Sequence, residues 1–416
     1  MSTADETCVI VGASHGGVSA AFELRKRGWQ GRILLVDSDG RLPYHRPPLS
    51  KTHLTGEKAL ADILLRPQKS YDDQQITLML GNAVQRIDRK ARLLVLENSK
   101  TLNYTKLILA VGARPFIPPI KGMDASNRIF TIRNAADIAR IKAALAGKAD
   151  PNIVIIGGGY IGLEAAASLK KLGASVTVLE REKRTLARVA APEISRFFEA
   201  LHARHGVDIH TNTQVNAIQE SADAVVVTCA DTQAIEADFV ILGVGIRVNT
   251  TLATDAGLKT DNGIVVDDTA CTSDGNIYAV GDCTYHYNPH YDRHIRLESV
   301  QNAADQAKVA AAAICGNDVV YDKIPWFWSD QYDVKFQAVG LSAGYDELVV
   351  RREADEANRL SIWYFNGNHL LAVDAVNHPK AYVLGTKFIK SGQQIDKSNL
   401  ANPQIDLAPG NILVAS

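Results

Sequence analysis

A unit made of a strand, a glycine-rich turn, a helix and a second strand occurs twice in the sequence and constrains the fold more than any other feature. In the first copy the apolar run 8–12 leads into the turn 12–17, a helical stretch follows over 18–27, and the apolar run 32–36 ends at Asp37. Parallel strands need a crossover connection, which a helix commonly supplies, so this copy predicts a βαβ unit.

The second copy has the same plan. The strand 152–156 leads into the turn 157–162, the helix runs to about 172, and the strand 175–179 ends at Glu180. Counted from first glycine to first glycine, the copies lie 145 residues apart, which is too far for a solenoid repeat and is typical of two whole domains.

The rest of the chain predicts further strands and a separate C-terminal part. Three apolar runs that end at glycine predict buried strands: 107–112, 239–245 and 277–281. An Ala-rich helix is predicted over 299–315, with Gly316 at its end. After Lys323 the apolar residues alternate, and Asn-Gly at 366–367 predicts a tight hairpin turn.

The composition is that of a globular chain and excludes several functions. The net charge of −1 gives no global field that would attract nucleic acid. The five cysteines include no C-x-x-C motif, which argues against a structural zinc site and against a redox-active dithiol. We expect free thiols in a reducing cytoplasm, with no signal peptide and no membrane span.

The turn 157–162 has the pattern G-x-G-x-x-G, and each glycine has a physical reason. Gly157 makes the tight turn, Gly159 lets the backbone approach a pyrophosphate, and Gly162 lets helix and strand pack closely. The helix N-terminus offers free N–H groups to the phosphates. Glu180 can accept the ribose hydroxyls and would repel a 2′-phosphate, so we expect NADH rather than NADPH, although two nearby arginines weaken that preference.

The turn 12–17 predicts a second dinucleotide site with one departure from the pattern. Gly12 and Gly17 match the first and third glycines, while Ser14 stands at the second. A serine hydroxyl there could donate a hydrogen bond to a phosphate. The Gly-Asp pair at 281–282 follows an apolar strand and offers a carboxylate to a ribityl hydroxyl. Two dinucleotide halves in one chain indicate a flavoprotein reductase that holds FAD and NADH.

The sequence resembles the FAD-dependent ferredoxin reductases of bacterial oxygenase systems over essentially its whole length. The segments that carry the resemblance are Pro-Tyr-His-Arg-Pro-Pro-Leu-Ser-Lys at 43–51, Thr-Ile-Arg at 131–133, 157–164, Arg-Leu-Glu-Ser-Val-Gln-Asn at 296–302, Pro-Trp-Phe-Trp-Ser-Asp-Gln at 325–331 and 372–377. Ser14 departs from the glycine that is usual in this family.

The glycine motifs and the resemblance together imply a set of cofactor-binding residues. For FAD they are Gly12, Ser14, Gly16, Gly17, Asp37, Arg46, Lys51, Val84, Gly112, Arg133, Asp282 and Val300, with Trp328 beside the isoalloxazine. For NADH they are Gly157, Gly159, Ile161, Gly162, Glu164, Glu180 and Gly245.

Three of these residues are the expected catalytic ones: Lys51, Glu164 and Trp328. Hydride transfer to a flavin needs positioning and exclusion of water more than an acid or base. Lys51 would balance charge near flavin N5, and a Lys51–Glu164 ion pair is predicted. Trp328 would either pack against the flavin or carry electrons, and packing is favoured.

These inferences give a fold and a function. We predict an α/β chain of two Rossmann-like dinucleotide-binding domains, arranged as in glutathione reductase, and a C-terminal α+β domain. The FAD-binding domain comprises 1–114 and 246–322, the NADH-binding domain 115–245, and the C-terminal domain 323–416. The resemblance implies that electrons pass from NADH through FAD to a [2Fe–2S] ferredoxin, Rieske-type or all-cysteine, and indirectly to a terminal oxygenase.

Two other functions use the same domain plan. One is an NADH-dependent flavoprotein reductase of a small-molecule acceptor, as in monodehydroascorbate reductase. The other is a flavin-bearing interaction protein, as in apoptosis-inducing factor. We expect no binding of nucleic acid and no binding to a membrane.

Two polar stretches are not expected to form sites. His286, His290 and His294 are spaced by four, but Pro289 indicates a loop, so no metal site is predicted. The charged run 351–356 predicts a solvated turn.

Overall fold

The computed structural model describes residues 5–123, 126–230, 233–353 and 358–414. Its strands are β1 (Thr7–Val11), β2 (Arg32–Asp37), β3 (Ile76–Leu80), β4 (Val84–Asp88), β5 (Leu93–Leu96), β6 (Thr101–Asn103), β7 (Lys106–Leu109), β8 (Ala113–Pro115), β9 (Ile129–Thr131), β10 (Asn152–Ile156), β11 (Ser175–Leu179), β12 (Val207–His210), β13 (Val215–Glu220), β14 (Val225–Cys229), β15 (Ile235–Ala237), β16 (Phe239–Leu242), β17 (Ile246–Val248), β18 (Ile264–Val266), β19 (Ile277–Ala279), β20 (Thr284–Asn288), β21 (Arg293–Ile295), β22 (Trp326–Gln331), β23 (Val334–Gly340), β24 (Glu347–Arg352), β25 (Leu360–Asn366) and β26 (His369–Val376).

The helices are α1 (His15–Lys26), α2 (Gln68–Asp73), α3 (Ala135–Leu145), α4 (Tyr160–Lys171), α5 (Pro192–Arg204), α6 (Thr251–Asp255), α7 (Val300–Ile314), α8 (Pro379–Ser391), α9 (Lys397–Ala401) and α10 (Pro409–Ile412). Short 3₁₀ turns cover Pro47–Ser50, Leu60–Ile63 and Gly281–Cys283.

The described residues divide into two compact units. Unit one comprises the chain up to Arg46, Leu60–Arg114 and Arg247–Pro325. Unit two comprises Pro47–Ala59, Pro115–Ile246 and the chain from Trp326 onward.

Unit one is built on a parallel sheet of five strands in the order β19-β7-β1-β2-β3. Helices α1 and α7 pack against each other, and their apolar faces share a core with β1. Leu24, Ala307 and Ile10 are fully buried in that core. Burying a side chain such as Leu24 contributes ~1.5–3 kcal/mol. Helix α1 begins at His15, three residues earlier than the predicted 18, because Gly16 and Gly17 are themselves helical.

Unit two contains a second parallel sheet in the order β12-β11-β10-β16-β9. Its strands β10 and β16 are almost wholly buried, as expected for strands covered on both faces. Helix α4 follows β10 and ends at Lys171, one residue before the predicted end. The order of β10, α4 and β11 is that of the predicted second βαβ unit.

The C-terminal part of unit two is an antiparallel sheet in the order β22-β23-β26-β25-β24 with α8 packed on β26. The predicted Asn-Gly hairpin is confirmed, since Asn366 pairs with His369 and Gly367 has φ +53°. One face of this sheet shares a core with α4 and α5, in which Leu163, Phe198 and Phe336 are buried. The α/β class with a C-terminal α+β part is therefore confirmed.

Two predictions about polar stretches need correction. The loop predicted at Pro289 is the turn 289–292 of a hairpin, and His290 lies in it, but His286 and His294 lie in the paired strands β20 and β21.

The run 351–356 begins inside strand β24, and its residues 354–356 lie outside the described part of the chain. Arg351 is 1% exposed instead of solvated. It donates to the Glu353 carboxylate and to the carbonyl oxygens of Leu400, Asn402 and Ile405. Its guanidinium is buried because five N–H donors find fixed acceptors.

Candidate functional site

The first glycine turn leaves no room for side chains at its two ends. Gly12 has φ +104°, and a Cβ there would lie 2.2 Å from the Ala110 oxygen. A Cβ at Gly17 would lie 1.8 Å from the Gly12 oxygen. Both positions therefore require glycine, for the turn itself and for the close packing of α1 on β1.

Ser14, between those glycines, has ordinary extended backbone and is the N-cap of α1, with φ −99° and ψ −160°. Arg46 Nε donates to the Ser14 hydroxyl at 3.3 Å. His15 lies 3.2 Å from His45 between ring nitrogens, so a cluster of hydrogen-bonding side chains stands at the start of α1. A serine therefore costs the backbone nothing here and is held by a cation that could also reach a phosphate.

Asp37, at the end of β2, fixes the first turn. Its carboxylate accepts the backbone N–H of Ala13 at 2.5 Å and that of Asp39 at 2.8 Å. Tyr44 donates its hydroxyl to Asp39 at 2.8 Å. These side chains line one recess of unit one, whose wall consists of Ala13, Ser14, Asp37, Asp39, Arg41, Pro43, Tyr44 and Arg46.

The other predicted FAD residues of unit one follow neighbouring strands. In the sheet order β19-β7-β1-β2, Asp282, Gly112, Gly12 and Asp37 come at or just after the carboxyl ends of successive strands. Carboxyl ends of parallel strands lie at one edge, which is where open α/β sheets bind ligands. Gly16 lies in α1, Val300 begins α7 behind the cap Ser299, and Val84 begins β4 in a different sheet.

The second glycine turn repeats this geometry in unit two. Gly157 has φ +108°, and a Cβ there would lie 2.5 Å from the Gly243 oxygen. A Cβ at Gly162 would lie 2.1 Å from the Gly157 oxygen. Gly159 is different, since its φ of −81° is ordinary and a Cβ would meet only the Gly243 oxygen at 3.8 Å. The protein itself leaves the space at Gly159 free, which fits a ligand that approaches the backbone there.

Glu180 occupies the place in unit two that Asp37 occupies in unit one. Its carboxylate accepts the backbone N–H of Gly158 at 2.7 Å and that of Glu182 at 2.8 Å. The nearby arginines have other partners: Arg181 pairs with Glu182, and Arg184 donates to the Ser195 hydroxyl. Both arginines therefore have partners other than Glu180.

Two more predicted NADH residues lie around this turn. Ile161 is in the first turn of α4 and is 44% exposed. Gly245 follows β16 with φ +105°. Arg188, which sequence reasoning missed, places its Nη2 3.6 Å from where a Gly245 Cβ would be.

The predicted Lys51–Glu164 ion pair is present in unit two. Lys51 Nζ lies 2.7 Å from Glu164 Oε2, and the two side chains are 17% and 2% exposed. Lys51 follows the 3₁₀ turn Pro47–Ser50, and Glu164 is in the second turn of α4. A buried carboxylate is stable only when its oxygens have partners, and this one has several.

The further partners of Glu164 are two serines that sequence reasoning missed. Ser50 donates to Oε2 at 2.5 Å, and Ser329 donates to Oε1 at 2.7 Å. Both serines are inside segments that carried the family resemblance, 43–51 and 325–331. That membership was the available signal, but nothing in the sequence pointed to Glu164 as their shared acceptor.

Trp328, the third expected catalytic residue, lies on β22 in unit two. Its ring centroid is 5.3 Å from that of Trp326, at 31°. The neighbouring Phe327 faces the opposite way and lies 4.8 Å from the ring of Tyr160. Burial, with the Asp374 and Glu164 carboxylates nearby, raises the pKa of Tyr160 well above its usual value, so its hydroxyl stays neutral.

Arg133 also belongs to unit two, in the segment between β9 and α3. Its backbone N–H donates to Asp137 at 2.9 Å. Lys51, Arg133 and Trp328 are thus the predicted FAD residues that fall outside unit one.

The five cysteines are free thiols, and three of them, Cys8, Cys229 and Cys283, are buried. Cys283, next to Asp282, is fully buried, and burial raises the pKa of its thiol to about 12. Such a thiol is not a nucleophile at neutral pH.

The described residues also offer neither a metal centre nor a membrane span. They contain no group of three or more His, Cys, Asp or Glu side chains placed to hold a metal ion. Across the same ranges, no helix combines the length and the apolar character needed to cross a bilayer.

Comparison with known proteins places this geometry in a family. Residues 6–307 match the model of the pyridine nucleotide-disulphide oxidoreductases, and residues 326–409 match that of the reductase C-terminal domain. Putidaredoxin reductase CamA from Pseudomonas putida is 40% identical over 97% of this chain and 96% of its own length. The ferredoxin reductase subunit of 5,5'-dehydrodivanillate O-demethylase from Sphingobium sp. is 43% identical over 96% of this chain and 97% of its own.

A solved structure extends the match to three dimensions. The crystal structure of the covalent putidaredoxin reductase–putidaredoxin complex matches with a TM-score of 0.93, at 40% identity, over 98% of both chains. The resemblance on which the sequence analysis relied is therefore confirmed.

Proposed function

The chain belongs to the pyridine nucleotide-disulphide oxidoreductase family, and from that premise we propose that it is an FAD-dependent NADH:ferredoxin oxidoreductase. Its acceptor is a [2Fe–2S] ferredoxin, Rieske-type or all-cysteine, that supplies a Rieske dioxygenase or a cytochrome P450. The proposal agrees with its full-length relatives, which are named as reductases of putidaredoxin and of an O-demethylase ferredoxin.

The observation that carries the proposal is the pair of dinucleotide turns in one chain that has no C-x-x-C motif. In each turn the first and third positions accept only glycine, because a Cβ there would overlap a backbone oxygen. In each turn an acidic side chain also accepts a backbone N–H of the turn. No two of the five cysteines form a C-x-x-C motif, the spacing typical of a redox-active dithiol that receives electrons inside the protein. We therefore infer that the electrons leave for an external acceptor.

Unit one supplies most of the residues that we assign to FAD. The N–H groups at the start of α1, with Ser14 and Arg46, would hold the pyrophosphate. Asp37 would accept hydroxyls of the adenosine ribose, and Asp282 would accept a ribityl hydroxyl. Gly16 and Gly112 would let the backbone approach the cofactor, and Val84 and Val300 would pack against it. The domain bounds 1–114 and 246–322 remain our assignment for this cofactor.

Unit two supplies the residues that we assign to NADH, within 115–245. The α4 N-terminus and Gly159 would hold the pyrophosphate, and Glu180 the ribose hydroxyls. Ile161 and Gly245 would line the nicotinamide half, and we add Arg188 because its guanidinium stands beside Gly245. The charge of Glu180 favours NADH, since a 2′-phosphate would meet a carboxylate.

Bound FAD would supply the redox chemistry: it would accept a hydride from NADH and pass the two electrons on singly, because an iron–sulfur cluster accepts one electron at a time. The protein's part is to position and to exclude water. Lys51 would place a positive charge at the flavin N5 edge, and Glu164 would hold both Lys51 and the nicotinamide amide. Arg133 would contact FAD, and Trp328 would pack against the isoalloxazine. We place the protein in the cytoplasm, where its thiols stay reduced.

The test is anaerobic reduction of a purified [2Fe–2S] ferredoxin by catalytic amounts of the holoenzyme, with NADH and NADPH in parallel. We expect fast cluster reduction with NADH and a rate at least about tenfold lower with NADPH, equivalent to roughly 1.4 kcal/mol. The matched control replaces the protein by the same concentration of free FAD.

Two results would contradict the proposal in different ways. If NADH bleaches the flavin but no ferredoxin is reduced, while a small-molecule radical acceptor is, the function moves to the small-molecule reductase. If the flavin is reduced only slowly and stays in a long-lived complex with the nucleotide, the protein is an interaction protein instead.

A further inference from the structure

Strand β22 presents two faces with different chemistry. Its residues alternate, so Trp326 and Trp328 share one face, while Phe327, Ser329 and Gln331 share the other. The function described above uses only Trp328 from this segment. The opposite face contacts α4 and α5. Phe327 packs on Tyr160 of α4, Ser329 contacts Glu164 of α4, and Gln331 contacts His202 of α5.

The polar side chains form a continuous chain of hydrogen bonds that ends at Glu164. Ser329 donates to Glu164 at 2.7 Å, and the Gln331 amide nitrogen donates to the Ser329 oxygen at 3.2 Å. The Gln331 oxygen is 2.8 Å from His202 Nε2. The Tyr332 hydroxyl is 3.3 Å from His202 Nδ1.

The direction of each bond follows from the chemistry of its partners. A carboxylate only accepts, so the Ser329 hydroxyl must donate, which leaves its oxygen to accept from Gln331. The Gln331 oxygen accepts, so His202 carries its proton on Nε2, and Nδ1 accepts from Tyr332. Burial lowers the pKa of His202 to about 4, which keeps the ring neutral as this pattern needs. All four bonds therefore point toward Glu164.

The chain is buried almost throughout. Ser329 and His202 are fully buried, and Gln331 is 1% exposed. Polar groups of this kind are costly to bury unless every one is satisfied, and a satisfied network fixes a single arrangement. The carboxylate plane of Glu164 is set by Ser329 on one oxygen and by Ser50 and Lys51 on the other.

We propose that Ser329, Gln331 and His202 are positioning residues for NADH oxidation: this chain on the inner face of β22 fixes the Glu164 carboxylate, and through it Lys51. The inference rests on the proposed function, because it gives Glu164 a role only if NADH is oxidised beside it. None of the three residues needs to touch a cofactor. The C-terminal domain thereby contributes twice: Trp328 would pack against the isoalloxazine, and Ser329 and Gln331 would position Glu164 for the oxidation of NADH.

The experiment is single-turnover reduction of the bound flavin by NADH in anaerobic stopped flow, at several NADH concentrations. In Ser329→Ala we expect the limiting rate to fall on the order of tenfold, because a misplaced carboxylate spoils alignment. The apparent NADH Kd should change by less than about twofold, since the pyrophosphate and ribose contacts are intact. Ser329→Thr keeps the hydroxyl and should recover most of the rate.

The matched control is Ser361→Ala. Ser361 is also a fully buried serine of the same sheet, and its oxygen accepts from Trp363 Nε1 at 2.9 Å, away from Glu164. This variant loses a comparable buried hydrogen bond, and we expect an unchanged limiting rate. Gln331→Met, which removes the next bond in the chain, should lower the rate about threefold.

A measurement that needs no NADH tests whether the hydrogen-bond chain itself is ordered as proposed, apart from any general effect on packing. Imidazole ¹⁵N NMR should show His202 as the Nε2–H tautomer in the wild type and in Ser361→Ala, and as a tautomer mixture in Gln331→Met.

Three outcomes would overturn the inference. The first is a Ser329→Ala variant that keeps the wild-type limiting rate. The second is a Ser361→Ala variant that loses as much of the limiting rate as Ser329→Ala does. The third is a Ser329→Thr variant that reduces the flavin no faster than Ser329→Ala. Failure of the proposed function is distinguishable because it appears in the wild type itself, as a flavin that NADH reduces only slowly or as electrons that reach no ferredoxin. If Glu164→Gln slows reduction and Ser329→Ala does not, only the inference fails.

Discussion

The two glycine turns share their outer positions and differ in the middle one. In both, a Cβ at the first or third glycine would overlap a backbone oxygen at 2.5 Å or less. In both, the acid that ends the second strand accepts an N–H of the turn. In the middle stand Ser14 and Gly159, which have similar extended backbone and are both N-caps of the following helix.

This difference separates two reasons for a glycine. The outer glycines are required by the protein, because their side chains would meet fixed backbone. The middle glycine is not: its backbone suits any residue, so only a ligand can require it there. Ser14 is compatible with the fold for that reason, and its hydroxyl is held by Arg46. Substitutions at these glycines and acids test whether the protein or the ligand requires each of them.

The outer glycines should be essential in both turns. Gly17→Ala and Gly162→Ala place a Cβ 1.8 Å and 2.1 Å from a backbone oxygen, so we expect each to destabilise its unit by about 3 kcal/mol. Thermal unfolding of the apoprotein measures this. Gly275→Ala is the control, since nothing lies within 4 Å of a Cβ there. Unchanged melting temperatures for Gly17→Ala and Gly162→Ala would show that the turns can relax.

The two acids should control different cofactors. Glu180→Gln keeps an oxygen for the Gly158 N–H but loses the charge that repels a 2′-phosphate. We expect the ratio of kcat/KM for NADH over NADPH to fall about tenfold, or roughly 1.4 kcal/mol. Asp37→Asn, its counterpart, should leave that ratio unchanged and weaken FAD binding. An unaltered ratio in Glu180→Gln would remove the basis for the NADH assignment.

Copying the first turn into the second should affect binding but not folding. In Gly159→Ser a Cβ meets only one oxygen at 3.8 Å, so the unfolding temperature should stay within the error of the wild type. The side chain would stand where the pyrophosphate approaches, and we expect the NADH Kd to rise about fivefold, or ~1 kcal/mol. Calorimetric titration of the FAD-free protein with NADH gives both the affinity and the stoichiometry without turnover. A lower unfolding temperature with an unchanged NADH affinity would mean that the fold, and not the ligand, requires glycine at position 159.

The reverse exchange should have the smallest effect. Ser14→Gly restores the usual motif and removes the hydroxyl that Arg46 holds. We expect FAD affinity to fall about threefold, or ~0.6 kcal/mol, because one hydrogen bond near a phosphate is lost. Fluorescence titration of the apoprotein with FAD measures it. Tighter binding in Ser14→Gly would mean that the serine only obstructs the phosphate.

Sequence reasoning worked where a local rule decides the structure. The glycine turns, the Asn366-Gly367 hairpin and the end of helix α7 before Gly316 follow from backbone sterics, which act within a few residues. It failed at Arg351 because charge pattern predicts solvent exposure, while the carbonyls that bury this side chain come from residues about fifty positions further along. At the histidine hairpin it located the turn at Pro289 but missed the strands β20 and β21 on either side, because their pairing is set by the fold and not by the residues of the turn.

The two dinucleotide turns, the acids that end their second strands and the family of the chain can all be read from the amino-acid sequence, because each depends on short motifs of neighbouring residues. The surroundings of Glu164 cannot be read in this way and are known only from the folded chain. Its serine donors are 114 and 165 residues away along the chain, and one of them, Ser329, lies in the aromatic strand β22. A buried carboxylate takes its properties from whatever donors the fold brings to it, and no local pattern encodes which donors those are.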